Sequence, residues 1–468
     1  MSQQAALQAL AGELGGLALY VDPIDLLPYR RDCSVARAGQ AELAVQPATT
    51  QEVIAIVERA ARHGVAMYMR GGGTMYAGGA NPHAGGLVID MSRMHRMLDL
   101  DFARGVVVVE PGIRCADLLA QLEPHGQTIG IVPSTGPAAT VGGALSSHAL
   151  GTGTPRHQSM GDCVAGLEVV LADGTRLRTG SAACREAGFF QRYCLGPDLT
   201  GLFIGADATL GVVTAVALWL YPLPAARATF CVGFAEPVAA GRFLIEVQGR
   251  ELTRNLWYAA GYEGGAVRAR VLAADPQFEP SQLPGYCLGF DVGGEQEDID
   301  ADSARLLALA ARHGGKEFEI FNEIYFRTLR YDQNYWYTFA GYFARSRCAI
   351  LMTSLPTDKL VDFCAAVDTL RARWPAFPWG AATVVCRRGL HGGVLAFYDE
   401  RLEWEAMREA IEDATETLRA AGCVPYKSGK LWAHEVKAAS AYYSVLERVK
   451  RSLDPQGLFS PGNLGLGV

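Results

Sequence analysis

The stretch TTQEVIAIVERAARHG (49–64) carries apolar residues three and four apart between a leading Thr and a closing Gly, the pattern of a capped amphipathic helix. Short β-rich runs follow, VAMYM (65–69), GLVID (86–90) and GVVVVEPG (105–112), and predict buried strands. A second helix is expected over ADLLAQLEPHG (116–126). A long Gly/Ser/Thr/Pro segment then runs from Val132 to about Gly161. GLEVVLADGTRLRTG (166–180) alternates on both sides of Asp173-Gly174, a hairpin signature. TGLFIGADATLGVVTAVALWLYP (200–222) predicts a short helix and a buried strand. Around Pro224 the pattern changes to mixed strands and helices, with helices expected at 300–314, 357–373 and 402–421. SAYYSVLERVKRSLDPQGLFSPGNLG closes the chain as a helix ended by a Pro/Gly loop. The divisions expected are 1–225, 226–424 and a C-terminal segment, 425–468.

At 468 residues, half of them hydrophobic, the chain is long enough for two or three cored units. A net charge of −7, with no Lys/Arg-rich run, argues against a nucleic-acid surface. Eleven cysteines without a CxxC pair read as reduced thiols of a cytoplasmic protein and not as a metal centre. The N-terminus lacks the basic and apolar regions of a signal peptide, and the most apolar stretch is too short and too broken by prolines to span a bilayer.

RGGGTMYAGG (70–79) holds five glycines directly after a predicted strand. A dinucleotide fingerprint needs such glycines to open a helix, with an acid some 20 residues on. Asp90 has the spacing, but GGANPHAGG cannot form that helix. A Walker loop is excluded because no Gly-Lys-Ser/Thr follows. The remaining functional reading is a nest, successive N–H groups converging on a phosphate without a helix. Glycines that merely turn between strands explain one loop. They explain poorly the further ones at PSTGPAATVGGALSSHALGTG (133–153) and GADATLGVVT (205–214), and together three loops can enclose a long diphosphate ligand.

The ordered set RGGGT, LVIDMSRM, VVVEPG, ATVGGALSSHALGTG, GLEVVLADG, LFIGADATLGVVT and DPQGLFSPGN resembles the vanillyl-alcohol-oxidase/p-cresol-methylhydroxylase superfamily of FAD-linked oxidoreductases. The likeness is close over residues 45–225 and good over the last 45 residues. It implies an α+β protein: a two-subdomain FAD-binding domain of the p-cresol-methylhydroxylase type, an α+β cap domain with an antiparallel sheet, and a chain end returning to the FAD domain. It further implies FAD contacts from Arg70, Gly71, Gly72, Gly73, Thr74, Met75 and Tyr76, and from Pro133, Ser134, Thr135, Thr140, Gly142, Gly143, Ser147, Gly151, Gly161, Gly211 and Val213. Relatives that tether FAD through the first loop carry His where Thr74 stands, so non-covalent FAD is expected, with Cys348 a remote alternative tether. Expected partners are a small-molecule substrate, an electron acceptor (oxygen, quinone or a cytochrome) and a second copy of the chain in a dimer.

The fold does not give the substrate. The 2-hydroxy-acid branch of the superfamily carries a metal-binding segment to which GLHGGVLAFYDE (389–400) is a poor match, so no metal is expected. The 4-hydroxybenzyl branch holds its phenolate with two tyrosines and a cation. Tyr76 in TMYAGGANP, and Tyr426 and Lys427 in AAGCVPYKSGK, fit those places, with Lys standing where that branch has Arg. A phenol of pKa about 10 must be lowered by roughly three units, about 4 kcal/mol, to ionise at pH 7, and a desolvated cation with two phenolic donors can supply that. Oxidation of a phenolic alcohol or benzylic carbon is therefore expected, with a D-2-hydroxy acid as the alternative. His148 is a candidate acid/base or a residue packed under the flavin. His391 is a candidate facing the flavin ring, and Arg388 a candidate carboxylate anchor. Tyr335, Trp336, Tyr337 and Tyr342 either line the pocket or build the cap core.

Overall fold

The computed structural model describes residues 2–184, 186–264, 277–319 and 347–467; Tyr335, Trp336, Tyr337 and Tyr342 lie outside them. Three sheets organise the chain. The first has four strands in the order Ala18–Tyr20, Leu43–Gln46, Leu87–Asp90, Met67–Arg70, the last three mutually parallel. The helix Thr50–His63 is the crossover from Leu43–Gln46 to the parallel strand Met67–Arg70, and Leu87–Asp90 inserts between the two. Thr49 caps that helix by accepting from the Glu52 N–H, and Gly64 ends it with a φ of 64°. Val53, Ile56, Val57 and Ala60 bury its apolar stripe against the sheet and the helix Gln3–Leu14.

The second sheet is antiparallel. Its central strand, Val212–Pro222, lies between Val106–Val109 and Val164–Val170. The hairpin expected at 166–180 closes as Val164–Val170 pairs with Arg176–Arg178. Between Pro222 and Ala226 the chain leaves this sheet and enters the third, whose eight strands among the described residues pair antiparallel throughout. Helices Pro237–Gly249, Gln296–Arg312, Leu360–Arg373 and Trp404–Ala420 contribute to a single core with one face of this sheet. The first of these four helices has no counterpart among the helices expected from the sequence.

Side-chain alternation divides the third sheet into two faces. In the strand Arg347–Leu355, Ala349, Leu351 and Leu355 join the helix-side core, whereas Ile350 and Met352 face a cavity toward the first two sheets. Leu395 and Val384 on neighbouring strands, and Tyr258 further along the sheet, point the same way.

The end of the chain is stitched back to its beginning. Met67 donates to the Leu458 carbonyl at 2.8 Å, and Ser460 donates to the Met67 carbonyl at 2.7 Å. Lys450, on the helix Ser440–Leu453, is 3 % exposed. Its ammonium donates to the carbonyls of Thr209 (2.7 Å) and Phe459 (2.8 Å) and to Asp454 Oδ2 (2.6 Å). No helix among the described residues is long and apolar enough to cross a membrane.

Removing one partner of a buried ion pair leaves the other charge uncompensated, a loss of about 3–5 kcal/mol. Lys450→Met is therefore expected to destabilise the protein by that amount, read as a lower denaturant midpoint. An unchanged midpoint would show that the C-terminal segment is not held by this pair.

Candidate active site

The first glycine loop leaves the strand Met67–Arg70 and packs directly on the second. A Cβ on Gly72 would lie 1.9 Å from the Ala138 carbonyl oxygen, and one on Gly71 would lie 2.2 Å from Thr140 Oγ1. These glycines are required by contact between two loops. Gly143 differs: its Cβ would meet only Thr140 Oγ1, at 3.2 Å. It stands in the first turn of the short helix Val141–Ser146, where Thr140 caps its N–H. The main-chain N–H groups of Gly71 through Tyr76 donate to no acceptor among the described residues. Main-chain donors at a folded site are normally paired. Six successive free ones, facing a cavity, form a cradle for an anion such as a diphosphate.

The cavity encloses about 1670 Å³ including its mouth. Arg70 to Tyr76, Pro133, Ser134, Thr135, Thr140, Gly142, Gly143, Ser147, Gly151, Gly211 and Val213 all border it. Gly161 does not. Its Cα is covered by Ile204 and His148, and its carbonyl accepts from Arg192 at 2.6 Å.

Tyr76, Tyr426 and Lys427 come together on this cavity from opposite ends of the sequence. The Lys427 ammonium lies 5.7 Å from the centre of the Tyr76 ring and, among the described residues, makes no hydrogen bond or ion pair. Burial pulls its pKa down to about 8, with Asp207 opposing the fall. Tyr76 packs against Ile350, Leu395 and Phe397. Burial pushes its phenol above the usual tyrosine range, with a hydrogen bond to Ser134 acting the other way. The Tyr426 hydroxyl is buried and has no hydrogen-bond partner among the described residues. The strand Val424–Pro425 delivers Tyr426 and Lys427 by pairing with the edge of the third sheet, after which Lys427 takes a φ of 60°.

The other candidates fall outside the lining. His391 joins Ser354 Oγ through Nδ1 at 2.7 Å and packs against Tyr426 with ring centres 4.1 Å apart and the planes tilted by 45°. Burial lowers its pKa to about 4, so it is neutral at pH 7. His148 fills the space that Gly161 and Gly205 leave open, since a Cβ on Gly205 would sit 2.1 Å from its ring. Burial lowers its pKa too. Arg388 is exposed at the turn between Trp379–Cys386 and Gly389–Tyr398, away from the cavity. Cys348 packs beside Tyr76 without lining the cavity.

A buried set of charges behind the first loop had no signal in the sequence pattern. Lys430 donates to the carbonyls of Gly78 and Asn81, each at 2.9 Å, and to Asn463 Oδ1 at 2.5 Å. Asp32 accepts from the Ser34 N–H and hydroxyl. Asp207 borders the cavity and accepts from the Gly429 N–H at 3.1 Å. Burial raises its pKa to about 7 against the pull of Gly429, Lys430 and Lys427. Asp207 stands within GADATLG, where the glycines drew attention and the acid did not.

Residues 41–180 match the FAD binding domain family. A glycolate oxidase subunit of Bacillus subtilis (strain 168) is 30% identical over 221 residues, 47% of this chain and 46% of the relative. A mitochondrial D-2-hydroxyglutarate dehydrogenase of Bos taurus is 32% identical over 218 residues, 46% of this chain and 39% of the relative. The chain thus spans less than half the length of these curated relatives. In fold it is similar to p-cresol methylhydroxylase solved with substrate bound, at a TM-score of 0.85 and 18% identity over 100% of this chain and 98% of the other. The 4-ethylphenol oxidase of Gulosibacter chungangensis in its isoeugenol complex gives a TM-score of 0.85 at 20% identity with the same coverage. The FAD binding domain match covers both the first and the second glycine loop, and the N–H groups of Gly71 to Tyr76, with Gly142 and Gly143 in the first turn of the short helix, suit a diphosphate.

Gly143→Val pushes two methyl groups into the cavity with little else to strike. Overpacking of this kind costs about 1–3 kcal/mol, so FAD affinity is expected to fall roughly 5- to 150-fold while the apoprotein melts as before. Gly72→Val, driven into the Ala138 carbonyl, is expected to lower the apoprotein melting temperature as well. Wild-type FAD affinity in Gly143→Val would remove this residue from the cofactor cradle.

Proposed function

We propose that this FAD-linked oxidoreductase of the p-cresol-methylhydroxylase type takes a hydride from an alcohol or benzylic carbon para to a phenolic hydroxyl. The observation that carries the reading is the convergence of Tyr76, Tyr426 and Lys427, which makes no hydrogen bond among the described residues, on the side of the cavity where the third sheet contributes Ile350, Met352, Val384 and Leu395. FAD, when bound, accepts the hydride.

The chain's own residues act on the other end of the substrate. A pKa of about 8 leaves most Lys427 charged at pH 7. In a desolvated pocket that charge favours the phenolate over the phenol. The Tyr426 hydroxyl, without a hydrogen-bond partner among the described residues, supplies a donor that strengthens as the ring oxygen gains charge. The apolar wall positions the ring and excludes water, which keeps both interactions strong. Lys427 is a point charge and does not impose the planar fork of an arginine, so the tyrosines carry the directionality.

Tyr426→Phe removes one charge-assisted hydrogen bond of about 1.5–3 kcal/mol, and kcat/KM for a 4-hydroxybenzyl alcohol is expected to fall roughly 10- to 150-fold. Lys427→Met is expected to cost more, because the developing anion then lacks a countercharge. Both variants should bind FAD normally, and the substrate's methyl ether should not turn over. A second reading, oxidation of a D-2-hydroxy acid, is favoured by the named relatives; there Lys427 would hold the carboxylate. Flavin reduction by lactate or glycolate that ignores Tyr426→Phe would decide for it.

FAD is held without a covalent bond in this reading, since Thr74 stands where relatives tethered through the first loop carry His; the tether that some relatives make through a cap-domain His or Tyr is the alternative. Acid precipitation should release the flavin to the supernatant. Yellow colour that stays with the pellet would contradict this.

A further inference from the structure

Two cations, Lys427 and Lys430, are half-buried at or near the cavity, and they are not equivalent. Lys430 is committed to Gly78, Asn81 and Asn463. Lys427 has no such anchors among the described residues, and a long flexible side chain in that position has many orientations to choose from. We propose that Asp207 is the positioning residue of this site: its carboxylate pins the turn that carries Lys427 and places an acid on the same cavity, and so it sets the upper pH limit of anion binding. The inference rests on the preceding reading only in that the substrate presents an anion to Lys427.

The geometry converges on Asp207 from three sides. Its carboxylate holds the Gly429 N–H, two residues beyond Lys427. Its carbonyl accepts from Asn463 Nδ2 at 3.0 Å, and Asn463 in turn holds Lys430 and the Gly79 carbonyl. Its backbone, with a φ of 46°, and that of Ala208, at 57°, lie in the left-handed region that non-glycine residues avoid. Surrounding contacts must hold such a conformation. Asp207 is faced by Lys427, Lys430 and Asp32, and Lys427 by Asp207, Tyr76, Tyr426, His391 and His148. Both histidines are held toward neutrality by burial, leaving Asp207 as the acid that favours the charged Lys427.

The sign follows. A charged Lys427 binds an anion below its pKa and loses it as pH rises through about 8. Asp207 opposes that loss, so removing its charge moves the limit to lower pH.

The test uses the FAD-loaded full-length chain and benzoate, a carboxylate that flavin cannot oxidise, with binding read from the perturbed flavin spectrum between pH 6 and pH 10. In the wild type, benzoate affinity should fall as pH rises through about 8. In Asp207→Asn the fall should begin about one unit or more lower, a loss of roughly tenfold at intermediate pH. Asp207→Glu should restore part of it. Lys427→Arg stays charged throughout, so its benzoate affinity should not show the fall, and this arm stands if Asp207→Asn loses flavin. A wild-type fall retained in Lys427→Arg, an unmoved fall in Asp207→Asn, or no benzoate binding at all overturns the proposal. If the falls behave as expected but a 4-hydroxybenzyl alcohol does not reduce the flavin, the substrate reading fails and Asp207 keeps its role.

Discussion

The site depends on how closely two stretches of main chain approach each other. Gly72 lies so near the Ala138 carbonyl that no side chain fits between them. That contact constrains the path of the loop from Gly71 to Tyr76, which borders the cavity with its N–H groups unpaired among the described residues. The cradle is thus a by-product of packing: the glycines are demanded on the side away from the ligand. Gly151, whose Cβ would lie 1.8 Å from the Val132 carbonyl, repeats the device in the second loop. The resulting walls hold the donors in place before any ligand arrives, which limits the ordering cost of binding.

The third sheet contributes shape and the chain end contributes charge. Alternation along Arg347–Leu355 brings the apolar side chains of Ile350 and Met352 to the cavity. The electrostatic groups arrive on the turn after Pro425, tied by Gly429 to Asp207 and by Lys430 to the carbonyls behind the first loop. An apolar wall with the charge concentrated at one end orients a ligand that is itself polar at one end.

Much of this was legible in the sequence where the signal is local. The helix after Thr49 announces itself by cap, spacing and closing glycine, and the hairpin by Asp173-Gly174. The glycine loops were legible as loops, although the reason for their glycines was not, because Ala138 lies far from Gly72 along the chain. Tyr76, Tyr426 and Lys427 were reached through resemblance, not periodicity. Asp207 and Lys430 escaped notice: their partners are hundreds of residues away, at Gly429 and Gly78, and a buried charge leaves no local pattern. His148 and His391 drew attention as chemistry-bearing residue types, yet one fills a hollow beside two glycines and the other packs against Tyr426.

The bridge between Met67 and Phe459 has a consequence for how the protein is made. The strand Met67–Arg70, which launches the first glycine loop, leaves the ribosome roughly 390 residues before the segment that covers it. At synthesis rates of about 5–20 residues per second, that is a wait of roughly 20–80 s. During it, an unpaired main-chain edge and the apolar surface beneath Phe459 are open to solvent or to a chaperone. The nascent cofactor domain is a vessel whose last stave is fitted only after all of the third sheet has been made.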